Sequence, residues 1–377
     1  MSSATRIVKD FRKLCTLPFC AIIYTHSHQD HVGGAAAFTG SDPTIPIYAR
    51  QGYGAEGTAF SRAGLTVQRF RGAAQMGVLL PPAGAQNSVS SAINQVRVNA
   101  TSTRPYAGTD GGRVRPTVLI SDPLSVTLGG VDVEIHPGTS ETSDALYVYL
   151  PQSKVLCMGD AFYQSWPNTA PIRGAGHRDV LCWVQTLSSM LSLPFECAIG
   201  GHLEPLMGDA REVITNYRDA LSHVHTSTIK CINKGMTPDQ CVEAVTMPDH
   251  LLQCDYLTEY YGNVQWTVRG IFRGLLGWFS GDPTDLFRLP AKGEAERMAK
   301  LAGGVERLIA AARDAHMERD WQWCAQLCRH LLALEGGVDV SDTRLMRADC
   351  LDGLADAVLS INASNYYRTV AAMVRRE

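Results

Sequence analysis

The chain has 377 residues, 45% of them hydrophobic and 19% charged, with a formal net charge of -3. That length exceeds one ordinary domain and suits two, and the small negative charge gives no electrostatic basis for binding nucleic acid or an anionic membrane surface. No apolar run approaches the roughly 18 residues of a membrane span, and the first ten residues lack the apolar core of a signal peptide. The eleven cysteines are scattered. Cys20, Cys157, Cys197 and Cys231 stand in apolar company and are expected as reduced, buried thiols, and Cys324 and Cys328 as packing residues of one helix. The expected setting is cytoplasmic and reducing.

Taken in chain order, the first half reads as short strands between Gly/Pro-rich loops. Residues 19–24, 117–120, 131–135, 145–150, 155–158 and 197–199 are apolar or alternating runs bounded by turn residues. Residues 72–115 are rich in Gly, Pro, Ser, Asn and Thr, a long loop that either covers a site or is a surface insertion. From about residue 209 the spacing becomes helical, over 210–234, 237–245 and 264–278, then over 295–313, 321–335 and 341–359. These helical hairpins carry no clean fixed-period repeat. The expectation is a first domain over 1–215 and an all-α second domain over 216–377.

The densest chemistry is the run from His26 to His31. His26 and His28 follow an apolar run ending at Tyr24, and on an extended segment residues two apart point the same way. Asp30 and His31 come as the chain turns into a helix. Four ligand-type side chains within six residues at the end of a buried strand are costly to hold without a metal. Other strands end in ligand groups as well: 155–159 in Asp160, 196–201 in His202, and 131–135 in a segment with His136 at one end and Glu141 at the other. Asp160 has two oxygens with which to bridge two ions. Two metals about 3.5–4 Å apart would polarise a substrate and generate hydroxide near neutral pH.

At these residues the chain resembles the alkylsulfatase branch of the metallo-β-lactamase superfamily. The resemblance rests on residues 24–34, on Gln75-Met76-Gly77 with Leu80-Pro81, and on Pro137-Gly138-Thr139 leading into Glu141. It continues through 172–175, Arg178-Asp179, Gly201-His202, Asn233 to Thr237, Tyr260-Tyr261-Gly262 and 276–283. The branch places a glutamate at the third ligand position and a second carboxylate 19 residues on, the separation of Glu141 and Asp160, so the resemblance selects Glu141 over His136. It implies an α/β fold, an αββα sandwich followed by an all-α dimerisation domain, and a homodimer. It implies two zinc ions per chain, with His26, His28 and Glu141 on one, Asp30, His31 and His202 on the other, and Asp160 bridging. Asn168 and Arg173 fall where the branch holds its sulfate, and a guanidinium fork with a neutral amide suits an oxyanion. Asp30, Asn168 and Arg173 are the expected catalytic residues.

Three departures accompany the resemblance. Trp266 stands where the branch carries a histidine that assists at the sulfate, and tryptophan exchanges no proton. Only about two dozen residues precede the His26 run, so an N-terminally shortened sandwich with an open edge is expected. A sterol-carrier-like domain, which often closes proteins of the branch, is not expected. The first functional expectation is hydrolysis of an amphipathic anionic ester, a sulfate of an apolar alcohol, with metal-activated hydroxide. The alternatives are a metallo-hydrolase of thioesters, lactones or other esters, and a non-catalytic dimer that binds amphipathic anions.

Overall fold

The computed structural model describes residues 3–40, 42–80, 89–90, 93, 95–96, 112–334 and 341–376. In chain order the helices and strands of the first third are α1 (Ser3–Leu14), β1 (Ile22–Ile23), α2 (Gln29–Val32), α3 (Ala35–Thr39), β2 (Ile47–Arg50), α4 (Ala55–Arg62), α5 (Val67–Gln75), β3 (Val89–Ser90), β4 (Gln95–Val96) and β5 (Val118–Ile120). There follow β6 (Leu124–Leu128), β7 (Val131–Pro137), β8 (Leu146–Leu150), β9 (Val155–Gly159), α6 (Val180–Leu191), β10 (Cys197–Gly200) and β11 (Leu206–Met207). The remainder is helical: α7 (Ala210–Asn233), α8 (Pro238–Ala244), α9 (Asp249–Leu252), α10 (Val264–Leu276), α11 (Ala291–Ala302), α12 (Val305–Met317), α13 (Trp321–Ala333), α14 (Ser341–Ala357) and α15 (Ile361–Val374). These elements form two compact units, one of Met1–Thr66 with Tyr106–Gly277, the other of Val67–Pro105 with Trp278–Glu377.

The first unit is a four-layer α/β sandwich. A three-stranded parallel sheet has the order β1-β2-β5, and a six-stranded sheet the order β11-β10-β9-β8-β7-β6. In the larger sheet only β9 and β10 run parallel. Alternation along β8 explains the layering. Leu146 and Val148 point inward and join Val133, Ile135, Tyr48 and Ile120 between the sheets. Tyr147 and Tyr149 point outward and join Leu156, Met158, Trp183, Leu187, Ile214 and Tyr217 beneath α6 and α7. On the far side Ile47 and Ala49 meet Val32 and Ala35 of α2 and α3.

Six expected strands are found where the patterns predict them. The first is regular only at Ile22–Ile23, although Tyr24 N–H still donates to the Tyr48 carbonyl at 2.9 Å. The patterns miss the strands β2, β3, β4, β6 and β11 and the helices α1, α4 and α6. Residue 215, after which the division is expected, lies in α7, and Tyr217, Val224, Cys241, Val268, Ile271 and Phe272 share a core with residues of the six-stranded sheet. Of the cysteines expected in the interior, Cys231 is buried, Cys157 and Cys197 are half-buried, and Cys20 is exposed; all are free thiols.

In the second unit α11 to α14 enclose Ala295, Ala299, Leu308, Ala312, Leu327, Leu331 and the buried thiols of Cys324, Cys328 and Cys350. The helix expected over 295–313 is two helices. Gly303 and Gly304 take φ of 92° and 125° between them, a left-handed break that ends α11. Residues 72–75, expected as part of a loop, finish α5, and the Gln75 carbonyl accepts from Asn365 Nδ2 of α15 at 3.1 Å. The rest of the long expected loop lies largely outside the described residues. Among the described residues no helix is long and apolar enough to cross a membrane.

Candidate metal centre

Strand ends and the loops beyond them bring the ligand residues to one edge of the sandwich. His26 and His28 follow β1, Asp30 and His31 stand in the single turn of α2, Glu141 lies in the loop after β7, and Asp160 and His202 follow β9 and β10. Backbone bonds join these segments across the edge. Leu146 N–H donates to the Thr25 carbonyl at 2.6 Å, and Gly201 N–H to the Gly159 carbonyl at 2.8 Å. The Glu141 loop is held by Arg50, which donates to the Gly138 and Ser143 carbonyls, and by Asp144, which accepts from Gly54 N–H at 2.8 Å.

Two glycines permit the convergence. Gly159 sits at φ +54° with Thr25 pressed against the place of a side chain. At Gly201 a Cβ would collide with Asp160 Oδ1 and lie 2.8 Å from His31 Cε1. Gly201→Ala is therefore expected to displace both side chains and to lower the metal retained after dialysis by severalfold, with a native far-ultraviolet circular dichroism spectrum. Full metal content in that variant would contradict this role for Gly201.

All seven expected ligands meet in three overlapping groups: His26, His31 and Asp160; Asp30, His31 and His202; His28, Glu141 and Asp160. Asp160 Oδ2 lies 3.6 Å from His26 Nε2, 3.2 Å from His31 Nε2 and 3.4 Å from His202 Nε2. Asp30 Oδ2 is 3.5 Å from both His31 Nε2 and His202 Nε2, and Glu141 Oε2 is 3.4 Å from His28 Nδ1. His26 Nε2 and His28 Nδ1 are 3.0 Å apart, and His31 Nε2 and His202 Nε2 are 3.2 Å apart. The Thr25 hydroxyl, 3.2 Å from His26 Nδ1, occupies that ring's other nitrogen.

Burial pushes the His26 pKa down and that of His28 well down, the latter helped by the charges of His26, Arg178 and Arg173. Burial opposes charge on His31 too, but hydrogen bonds to Asp160 and Asp30 prevail and raise it to about 10. His202 is raised likewise, burial being outweighed by its bond to Asp160. Asp160 falls well below the usual carboxylate range: burial opposes, and the bonds to His202 and His31 win. Imidazole protons thus balance the carboxylates, and a divalent cation can replace them.

The donor set fits metal ions. Nitrogen and carboxylate oxygen are the donors zinc takes, and paired imidazole nitrogens about 3 Å apart have little reason to face each other otherwise. Asp160, 3% exposed, also keeps Oδ1 buried without a hydrogen-bond partner among the described residues, an atom whose desolvation a cation offsets.

The other residues singled out by sequence fall differently. His136 stacks on Tyr147, with ring centroids 4.9 Å apart, and its Nε2 lies 3.2 Å from Glu134 Oε2; it joins none of the three groups. Asn168 is buried beside Tyr261, and Arg173 is half-buried with its charge acting on His28 and Tyr261. Trp266 lies in the first turn of α10, its main-chain N–H donating to the N-cap Asn263 Oδ1 at 2.8 Å. Asp179 caps α6 by accepting from Cys182 N–H at 3.0 Å.

Two residues given no role by the sequence surround Glu141. The Tyr163 hydroxyl donates to Glu141 Oε1 at 2.7 Å, and Arg178 Nη1 lies 3.0 Å from the same oxygen. Burial and the Glu141 charge push the Tyr163 pKa well above its ordinary value, so it remains a donor. The available signal was slight: Arg178 stood in a recognised motif, and Tyr163 three residues after Asp160.

Residues 17–214 match the metallo-beta-lactamase superfamily, and residues 237–377 match the alkyl sulfatase dimerisation family. The chain belongs to the metallo-beta-lactamase superfamily, in its alkylsulfatase branch. It is 31% identical to a linear primary-alkylsulfatase from Pseudomonas sp. (strain ATCC 19151), over 97% of this chain and 69% of that protein. With an (R)-specific secondary-alkylsulfatase from Pseudomonas sp. the identity is 28%, over 95% of this chain. The structure of a stereoselective inverting sec-alkylsulfatase from Pseudomonas sp. superposes with a TM-score of 0.85 at 27% identity, covering 98% of this chain. This chain spans 54% of the length of the secondary-alkylsulfatase and 59% of the chain in that structure.

Proposed function

We propose that the chain is a metal-dependent hydrolase of sulfate esters of apolar alcohols, active with two zinc ions. The observation that carries this reading is the meeting of four imidazoles and three carboxylates at one sheet edge, with Asp160 common to two of the three groups. His26, His28 and Glu141 would hold one ion and Asp30, His31 and His202 the other, with Asp160 between them. Bound there, the metals supply Lewis acidity and an activated water. The chain's own side chains do the rest. Asn168 and Arg173 take the anionic sulfate and stabilise the charge that grows on it as the ester bond breaks. Asp30, with its side chain 53% exposed, is the most open of the seven. The helical region, related by family to a dimerisation region, would pair two copies.

Purified protein is expected to retain zinc through dialysis and to release dodecanol from dodecyl sulfate, with activity lost to a strong chelator and restored by zinc. Retained metal with no turnover of any alkyl sulfate would overturn the substrate class. Thioesters and lactones, run in the same assay, test the competing ester reading.

A further inference from the structure

The two oxygens of Glu141 have different neighbours. Oε2 faces His28, while Oε1 takes the Tyr163 hydroxyl and the Arg178 guanidinium. The same two side chains grip both sides of the Asn168 main chain. Asn168 N–H donates to the Tyr163 hydroxyl at 2.8 Å, and Arg178 Nη1 donates to the Asn168 carbonyl. Glu141, Tyr163, Asn168 and Arg178 are all buried, so water does not compete for these bonds, and breaking one strands a buried polar group.

We propose that Tyr163 and Arg178 are positioning residues that clamp the Asn168 peptide to Glu141, so that the ligand and the anion donor keep one register. The proposal rests on the reading of Asn168 as an anion donor. Its chemistry is specific. A tyrosine hydroxyl donates and accepts at once, which phenylalanine of the same shape does neither of. Both Arg178 contacts leave one nitrogen, Nη1, which the rigid guanidinium plane holds in place, whereas the ammonium of lysine ends a flexible stem and is not fixed there. With Oε1 taken, Glu141 turns Oε2 toward His28. Movement of Glu141 is therefore felt at Asn168, and the reverse.

The test compares the full-length wild type with Tyr163→Phe and Arg178→Lys, and with Tyr149→Phe as control. The Tyr149 hydroxyl donates to the Pro194 carbonyl at 3.3 Å, toward the other end of β8, so its loss removes a bond of the same kind elsewhere. Zinc affinity is measured by competition with a chromogenic chelator, and affinity for inorganic sulfate by thermal-shift titration of zinc-loaded protein. Both clamp variants are expected to weaken zinc binding by about 10–100-fold and sulfate binding by about tenfold, while Tyr149→Phe leaves both within about twofold. A lower melting temperature with wild-type affinities for both would reduce the two residues to ordinary core groups. Weakening of zinc binding alone would overturn the link to Asn168. Wild-type protein that takes up zinc and ignores sulfate would sink the Asn168 reading itself, while the zinc comparison still decides whether Tyr163 and Arg178 position Glu141.

Discussion

Asp160→Asn is expected to lower the rate of alkyl sulfate hydrolysis by about a thousandfold or more, roughly 4 kcal/mol of transition-state stabilisation. Asp160 Oδ2 stands within 3.6 Å of three imidazole nitrogens, and its Oδ1 has no other partner among the described residues. Asparagine has nearly the same shape, so the packing around a residue 3% exposed is kept. What changes is charge: one oxygen becomes an amide nitrogen that donates and cannot ligate, and the remaining oxygen is neutral. Two of the three ligand groups then lose the member they share. Elemental analysis after dialysis is expected to show less metal per chain, with circular dichroism unchanged. A variant with wild-type metal content and wild-type rate would remove Asp160 from the mechanism.

Arg173→Ala is expected to cost about 100–1000-fold in kcat/KM on alkyl sulfates, the size of effect seen when a single donor to a developing anion is removed. Arg173 is half-buried, and its charge helps hold the His28 pKa down. Alanine removes that charge while leaving every expected ligand in place, so zinc content should hold. The discriminating comparison is a thioester or lactone in the same assay. A loss confined to sulfate esters ties the guanidinium to the sulfate. An equal loss on neutral esters would mean that Arg173 serves the fold or the metal site, and an unchanged rate on alkyl sulfates would end its role as an anion donor.

The sequence by itself determined the chemistry that is local. Two imidazoles two residues apart after an apolar run, then a carboxylate and a third imidazole, have one physical economy, and it is a metal. Most sandwich strands were legible for the same reason, since an apolar run bounded by turn residues at 145–150 or 155–158 records its own burial. A strand as short as Leu206–Met207 leaves no such record, and neither does Leu124–Leu128, whose inner residues are only half-buried. Helical spacing identified α7 and α10 but not the surface each would cover, because periodicity states that a face is apolar and not what it meets. Their packing on the six-stranded sheet is a tertiary fact, as is the bond from α15 to the end of α5.

At the site the division is similar. His136 and Glu141 were equivalent as ligand types, and family resemblance was needed to choose between them. In the fold, His136 is occupied by Tyr147 and Glu134, while the loop after β7 carries Glu141 to His28. Tyr163 and Arg178 had only a slight local signature because the carboxylate they share, Glu141, lies on another segment, in the loop after β7. A buried arginine is expensive anywhere except opposite a carboxylate, and only the folded chain brings that carboxylate to it.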